Sequence, residues 1–201
     1  MTSRAIIEAA ERLFAKHGID GVSMRQISQA AGSSNHFSVQ YHFGDKKALA
    51  EGIIASRMAD LERRRGELLA EAVANGTLDD LHALMRALLL PYCYQTDVNG
   101  EHSYAAFAIH LYWHSTIPKT WVTAEEFAPM VRHILMLIKQ RLDLPEEIAE
   151  LRIRVAIVSF LHVVVDQDRS RSNVQGYSAE QVWEDAVRFA ASGVSAPWQE
   201  P

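Results

Sequence analysis

Hydrophobic positions near the start of the chain recur every three or four residues, which is the spacing of amphipathic helices. A first helix begins near Arg4, carries its apolar residues on one face and ends at Gly18. Ser23 begins a second helix, because Gln26 stands three residues later and completes a capping box. Gly32 ends that helix, since glycine readily takes the positive φ of a tight turn. The pattern therefore predicts two helices joined by a short turn.

A third short helix is predicted directly after this turn. Ser33, Ser34 or Asn35 is expected to cap it. Val39 and Phe43 lie one helical turn apart, so both can face inward. We expect them to form a small core with two residues of the earlier helices: Phe14 and Ile27.

A long fourth helix follows, capped by Asp45 and reaching about residue 74. Its inward positions are apolar: Leu49, Ile53, Met58 and Leu61. Four later positions resemble further helix starts: Thr77, Thr123, Asp143 and Ser178. The chain then holds about nine helices, and no segment shows the alternation of a half-buried strand. The predicted fold class is all-α.

The composition is that of a globular protein, with 48% hydrophobic and 22% charged residues, which excludes disorder as the main state. Cys93 is the single cysteine, so an internal disulfide is excluded and a reducing compartment, the cytoplasm, is favoured. No secretory signal peptide is recognised near the N-terminus, and no apolar run approaches the roughly 20 residues that a membrane span requires. We expect a soluble protein that is not exported.

The formal net charge of −5 argues at first against a nucleic-acid partner. The negative charge, however, lies downstream, because residues 1–52 hold six basic and five acidic side chains. A nearly neutral segment can still bind DNA if its cations face the same way.

The three N-terminal helices have the order of a helix-turn-helix, in which the second helix of the motif lies in the major groove of DNA. Three stretches carry a more specific pattern: IIEAAERLFAKHG at 6–18, SMRQISQAAG at 23–32 and YHFGDKKAL at 41–49. The third stretch opens with an aromatic residue followed by His and Phe, which end the predicted third helix. In order and spacing the three stretches resemble the tetracycline-repressor (TetR) family, over about the first quarter of the chain.

The resemblance implies a homodimeric, ligand-responsive transcriptional regulator, more often a repressor, with two domains. Residues 1–50, here called the head, would bind DNA. Residues 51–201, here called the body, would bind a small effector and form the dimer. The effector would favour a body conformation that holds the two recognition helices at the wrong separation for the operator.

The resemblance also implies which head residues touch DNA. Phosphate contacts are expected from five residues: Ser23, Arg25, Tyr41, His42 and Lys46. Base contacts are expected from four: His36, Phe37, Ser38 and Gln40. Gln40 has the clearest chemistry, because its amide can both donate to and accept from the major-groove edge of adenine. The chain departs from the commonest family pattern by one additional residue between Gly32 and Tyr41.

Residues 145–168 form the most apolar predicted helix, and its apolar residues cover more than one face. A helix of this kind must be covered on both sides, and a second copy of the chain is the simplest cover in a soluble protein. We therefore predict a homodimer through residues 145–168 and 179–192. The alternative is that 145–168 lies at the centre of one subunit.

Aromatic residues are concentrated between positions 85 and 121. They predict a pocket for an aromatic or lipophilic effector, lined by Met85, Tyr92, Tyr104, Phe107, His110, Trp113, His114 and Trp121. A plain aromatic core is the alternative. The rival function is an all-α ligand carrier or an enzyme that uses His110 or His114 as acid or base. No P-loop, dinucleotide fingerprint or nucleophile elbow supports an enzyme, so none is expected.

Three other features have simpler interpretations. His110 and His114 have the spacing of a metal pair, but Leu111 replaces the glutamate of the zinc-protease pattern, so neither a metal nor a cofactor is expected. The Arg63–Arg65 run is expected to be a solvated helix face rather than a second phosphate site. Cys93 has no basic neighbour in the sequence and is expected to be a buried small side chain.

Overall fold

The computed structural model describes residues 2–35, 37–113, 128–168 and 176–198. These residues contain nine α-helices and one short 3₁₀ helix, and no strand. The predicted all-α class is therefore confirmed. The helices are α1 (Ser3–His17), α2 (Met24–Ala30), α3 (Ser38–Phe43), α4 (Lys46–Ala74), α5 (Leu81–Leu89), α6 (Ser103–Trp113), α7 (Pro129–Lys139), α8 (Glu146–Gln167) and α9 (Ala179–Val194). The 3₁₀ helix, Leu90–Tyr94, lies between α5 and α6.

The predicted caps of three helices are confirmed. In the capping box of α2, the Ser23 backbone N–H donates to Gln26 Oε1 at 2.8 Å and the Gln26 backbone N–H donates to Ser23 Oγ at 3.3 Å. Ser178 forms the same box at the start of α9. The carboxylate of Asp45 accepts from the Ala48 backbone N–H at 2.8 Å and caps α4.

The predicted cap of α3 is wrong. The helix begins at Ser38, and Phe37, in the N-cap position, makes no side-chain cap hydrogen bond. Asn35 instead forms the turn before the helix: its side-chain oxygen accepts from the Phe37 N–H at 3.0 Å and its carbonyl accepts from the Ser38 N–H at 3.2 Å. The polar run therefore builds the turn between α2 and α3 and does not extend α3 backward to Ser33 or Ser34.

Two other predicted starts are displaced by a few residues. Asp80, rather than Thr77, caps α5, by accepting from the His82 backbone N–H at 2.9 Å. Pro145, rather than Asp143, occupies the N-cap position of α8. Thr123 lies outside the described residues.

The head packs around the predicted small core. Phe14, Ile27 and Val39 are fully buried, and Phe43 is half-buried against them. The apolar cluster does not end with the head, because α1 also packs along α4 and α6. Helix α4 passes without interruption through residue 50, the predicted boundary between head and body. The position of the head therefore depends on the body helices beneath it.

Candidate DNA-binding face and ligand-binding body

Helix α3 has one buried side and one exposed side. Val39 is fully buried against the head core, whereas Gln40 and His42 are exposed on the other side of the helix. Two large aromatic side chains are exposed beside them: Phe37 is 72% exposed and Tyr41 is 87% exposed. Exposed aromatic rings of this size are uncommon in a monomer surface without a partner. The exposed side of α3 thus presents two large aromatic and two polar side chains to solvent.

Tyr41 and His42 lie together at the C-terminal end of α3. Their rings meet edge to face, with the centroids 5.5 Å apart. Both side chains are exposed, so neither belongs to the head core. Arg25, on α2, is exposed as well. These three residues stand where a phosphate could reach them.

Two further predicted phosphate ligands already have partners within the head. The hydroxyl of Ser23 is engaged in the capping box of α2. The ammonium group of Lys46 donates to the carbonyl oxygens of Ile19 at 3.0 Å and Asp20 at 3.1 Å. Because a lysine has three N–H donors, Lys46 has one left for a phosphate while it ties the start of α4 to the loop before α2.

The predicted base contacts differ in accessibility. Phe37 and Gln40 are exposed. Ser38 is half-buried, and its hydroxyl donates to Ser28 Oγ at 3.3 Å, which links α3 to α2. His36 lies outside the described residues. Gln40 is therefore the described polar residue of this set whose side chain is most available to a base edge.

The predicted pocket residues on α5, the 3₁₀ helix and α6 form a buried row of rings. Met85 and Phe107 are fully buried, and Tyr92 and Tyr104 are about 95% buried. Tyr92 and Tyr104 stack with their centroids 6.0 Å apart, and Phe107 lies 6.1 Å from Tyr104. Burial raises the pKa of Tyr104 well above its usual value. These rings contact one another, and their part in ligand binding stays a prediction.

His110 lies apart from this row of rings. It is half-buried, and its Nε2 is 3.3 Å from the carbonyl oxygen of Ala15, near the end of α1. This contact joins α6 to the head. The side chain of Trp113, and the whole of His114 and Trp121, lie outside the described residues. No cluster of three metal-ligating side chains occurs among the residues that are described.

A buried charged network joining head and body was missed by the sequence analysis. Glu11, on α1, accepts two hydrogen bonds from Arg57 of α4, at 2.8 and 2.7 Å. The hydroxyl of Ser103, on α6, donates to the same carboxylate at 2.6 Å. Beside Glu11, the pKa of Arg57 rises above its usual value, since the hydrogen bond and charge of the carboxylate outweigh the effect of burial. The signal in the sequence was a glutamate one turn before Phe14, on the apolar face of α1.

Helices α8 and α9 carry an apolar surface that none of the other described residues covers. Leu151 is 44% exposed, Val155 55% and Phe189 75%. These side chains border a groove of about 390 Å³ between the two helices, and its floor includes Phe160 and Ala190. The two helices are those in which the dimer interface was predicted.

None of the described helices combines the length and hydropathy needed to cross a membrane.

Comparisons with known proteins agree with this geometry. Residues 6–53 match the sequence model of a family described as "Bacterial regulatory proteins, tetR family". The chain is 38% identical over 78 residues to the HTH-type transcriptional repressor AcnR of Corynebacterium glutamicum and 31% identical over 80 residues to AcnR of Corynebacterium diphtheriae. Each match covers 37% of this chain, and 39% or 42% of the relative, so it spans about two fifths of these repressors.

The likeness of the fold extends further than the sequence match. A solved structure described as "Crystal structure of Probable transcriptional regulatory protein RHA5900" superposes with a TM-score of 0.52 and 18% identity. The superposition covers 98% of this chain and 100% of that one. At this identity the likeness concerns the fold alone. Residues 6–53, which form the helix-turn-helix head, therefore match the tetR family of bacterial regulatory proteins, and the whole chain shares its fold with this solved structure.

Proposed function

We propose that the protein is a transcriptional repressor that binds a palindromic DNA operator as a homodimer and is released by a small effector. The observation that carries this proposal is the exposed side of α3, where Gln40 and Tyr41 project from a helix anchored by the buried Val39. The names of the AcnR relatives support repression. Such a regulator acts on the bacterial chromosome and therefore in the cytoplasm.

The apolar surface of α8 and α9 supports the homodimer. If two copies packed together there, Val155 and Phe189 would be buried from solvent. Complete burial of a large apolar side chain would stabilise the dimer by roughly 1.5–3 kcal/mol. A two-fold axis through this surface would place the same residues on both sides of the interface. It would also set two heads at a fixed distance from each other.

The operator is expected to contain two half-sites. Paired recognition helices meet successive major grooves when their centres are about 34–36 Å apart. Helix α4 extends from the head into the body, so a change in the body that tilts α4 would change this distance. An effector that binds the tilted state better would lower DNA affinity by shifting the population toward that state.

Selection of bound fragments from random duplex DNA tests the proposal with the full-length protein. We expect enrichment of an inverted repeat whose half-site centres are separated by about one helical turn or a multiple of it. An enriched single half-site would contradict the dimer. Failure to enrich any sequence, with protein that is folded by circular dichroism, would contradict the proposed function.

A further inference from the structure

The Arg63–Arg65 run does not behave as the solvated face that the sequence predicts. Arg63 is exposed and pairs with Asp60 and Glu67 on its own helix. Arg64 is partly exposed and lies over the ring of Tyr94, with its guanidinium carbon 4.7 Å from the ring centroid. Arg65, in contrast, has a side chain that is only 1% exposed. The expectation is therefore wrong for Arg65, which stands one turn after Leu61 on the inner face of α4.

The buried guanidinium of Arg65 is incompletely paired. One of its terminal nitrogens donates to Glu62 Oε1 at 3.0 Å. The other oxygen of Glu62 is already used, since it accepts from the backbone N–H of Met130 at 2.6 Å, in the first turn of α7. The Nε–H of Arg65 is buried and has no acceptor among the described residues. A buried donor without an acceptor costs free energy and is uncommon in native proteins.

The surroundings of Arg65 are aromatic. Its guanidinium carbon lies 5.4 Å from the centroid of the Tyr92 ring, which stacks on Tyr104. Burial raises the pKa of Tyr104 and of Tyr112, and the positive charge of Arg65 acts on both in the opposite direction. A fixed cation thus lies over the ring of Tyr92, and its charge acts on two further phenol side chains in the interior of the body.

This arrangement has the chemistry of a carboxylate-recognition point. A planar guanidinium binds a carboxylate through paired N–H donors, and its strength increases where water is excluded. The neighbouring rings offer apolar contact to the rest of such a molecule. Within the proposed function, on which this step rests, we infer that the effector is an aromatic or lipophilic carboxylic acid whose carboxylate binds the Nε–H side of Arg65.

Binding there would reach both α4 and α7. An incoming carboxylate competes with Glu62 for the guanidinium, and Glu62 holds the first turn of α7 through Met130. The effector would therefore loosen the link between α7 and the helix that extends into the head.

Calorimetric titration of the full-length protein with benzoate, phenylacetate and 3-phenylpropionate tests the inference, with the matching primary amides as neutral controls. We expect at least one acid to bind about tenfold or more tightly than its amide. Arg65→Met should remove this preference, whereas Arg64→Met, a matched change at the preceding residue, should retain it. If Arg65→Met does not fold, Arg65→Lys should weaken acid binding, because an ammonium lacks the paired donors.

Three results would overturn the inference: no acid binds the native protein at millimolar concentration, acid and amide bind equally, or the Arg65 variant binds the acid as well as the native protein does. These results are separable from the proposed function. A protein that enriches an inverted repeat but ignores the acids would refute the carboxylate site alone. A protein that binds the acids but enriches no DNA sequence would refute the repressor and leave the site standing.

Discussion

Replacement of Glu11 with glutamine tests whether a buried charge fastens the head to the body. The carboxylate accepts both hydrogen bonds from Arg57 and a third from Ser103, so it joins α1, α4 and α6 at one point. Glutamine has nearly the same size but no charge, and its NH₂ group faces a donor where an oxygen stood. The substitution therefore removes the ion pair without leaving a cavity.

The expected loss follows from the burial of the pair. The Glu11 side chain is 2% exposed and that of Arg57 is 22% exposed. Breaking a fully buried pair costs about 3–5 kcal/mol, and Arg57 can regain some water here, so we expect the free energy of unfolding to fall by about 2–3 kcal/mol. For a chain of this length that corresponds to a melting temperature lower by roughly 4–12 °C.

Thermal unfolding followed by circular dichroism measures this loss, and Glu8→Gln on the same helix is the matched control. Glu8 pairs with Arg4 at 2.8 Å, but the Arg4 side chain is 88% exposed, and such surface pairs contribute little. The control should melt close to the native protein. Equal melting temperatures for the two variants would refute the idea that the network at Glu11 holds the head in place.

Four further predictions concern separate parts of the molecule. Phe189→Glu places a charge in the α8–α9 surface, so light scattering at micromolar concentration should show a monomer instead of a dimer. Met136→Glu, the same kind of change at an exposed residue of α7, should leave the dimer intact. A dimer in both variants would contradict the proposed interface. Burial alone would raise the pKa of Asp60, but two neighbouring arginines lower it below its usual 3.8. The ionised carboxylate therefore stabilises the fold above that pH, and this stabilisation is lost as the pH falls through the lowered pKa. Acid unfolding of Asp60→Asn should be less steep than that of the native protein in this range. Burial raises the pKa of the Cys93 thiol far above its usual value, so iodoacetamide should alkylate it much more slowly in the native protein than in urea, and equal rates would refute its burial. Ser23→Ala should lower the free energy of unfolding by about 1 kcal/mol, measured by urea denaturation, because it removes the cap of α2; no change would contradict the role of the capping box.

Local signals account for the parts of the fold that the sequence predicted well. The capping boxes at Ser23 and Ser178, the cap at Asp45 and the positive φ of Gly18 and Gly32 each depend on a few neighbouring residues. The start of α3 was predicted wrongly because the local signals at this position are ambiguous. Several polar residues compete there, and the side chain of Asn35 forms a turn rather than a cap.

Buried charges were the features that periodicity could not predict. Glu11 and Arg65 both lie on the inner face of a helix, at positions that the three- and four-residue spacing assigns to apolar side chains. Glu11 is retained there by Arg57, far along the chain, whereas Arg65 pairs with Glu62 of its own helix and lies over the ring of Tyr92. A pattern of hydrophobic positions gives no information about such partners, so Arg65 was assigned to the surface and the burial of Glu11 was not predicted.

The aromatic segment shows a different limit of sequence reasoning. Composition predicts equally a ligand pocket and a core of stacked rings, because both need large apolar side chains with a few polar atoms. The structure places Tyr92, Tyr104 and Phe107 against one another, which composition alone does not specify. The exposed side of α3, in contrast, followed from the position of Val39.

Fluorescence anisotropy with the selected operator tests whether the exposed side of α3 binds bases of duplex DNA. Gln40→Ala should weaken binding by about 1–3 kcal/mol per reading contact and relax the preference at one base position in each half-site. Gln140→Ala, which changes another exposed glutamine, at the end of α7, should bind as the native protein does. Identical affinity and base preference for native protein, Gln40→Ala and Gln140→Ala would contradict base reading by α3.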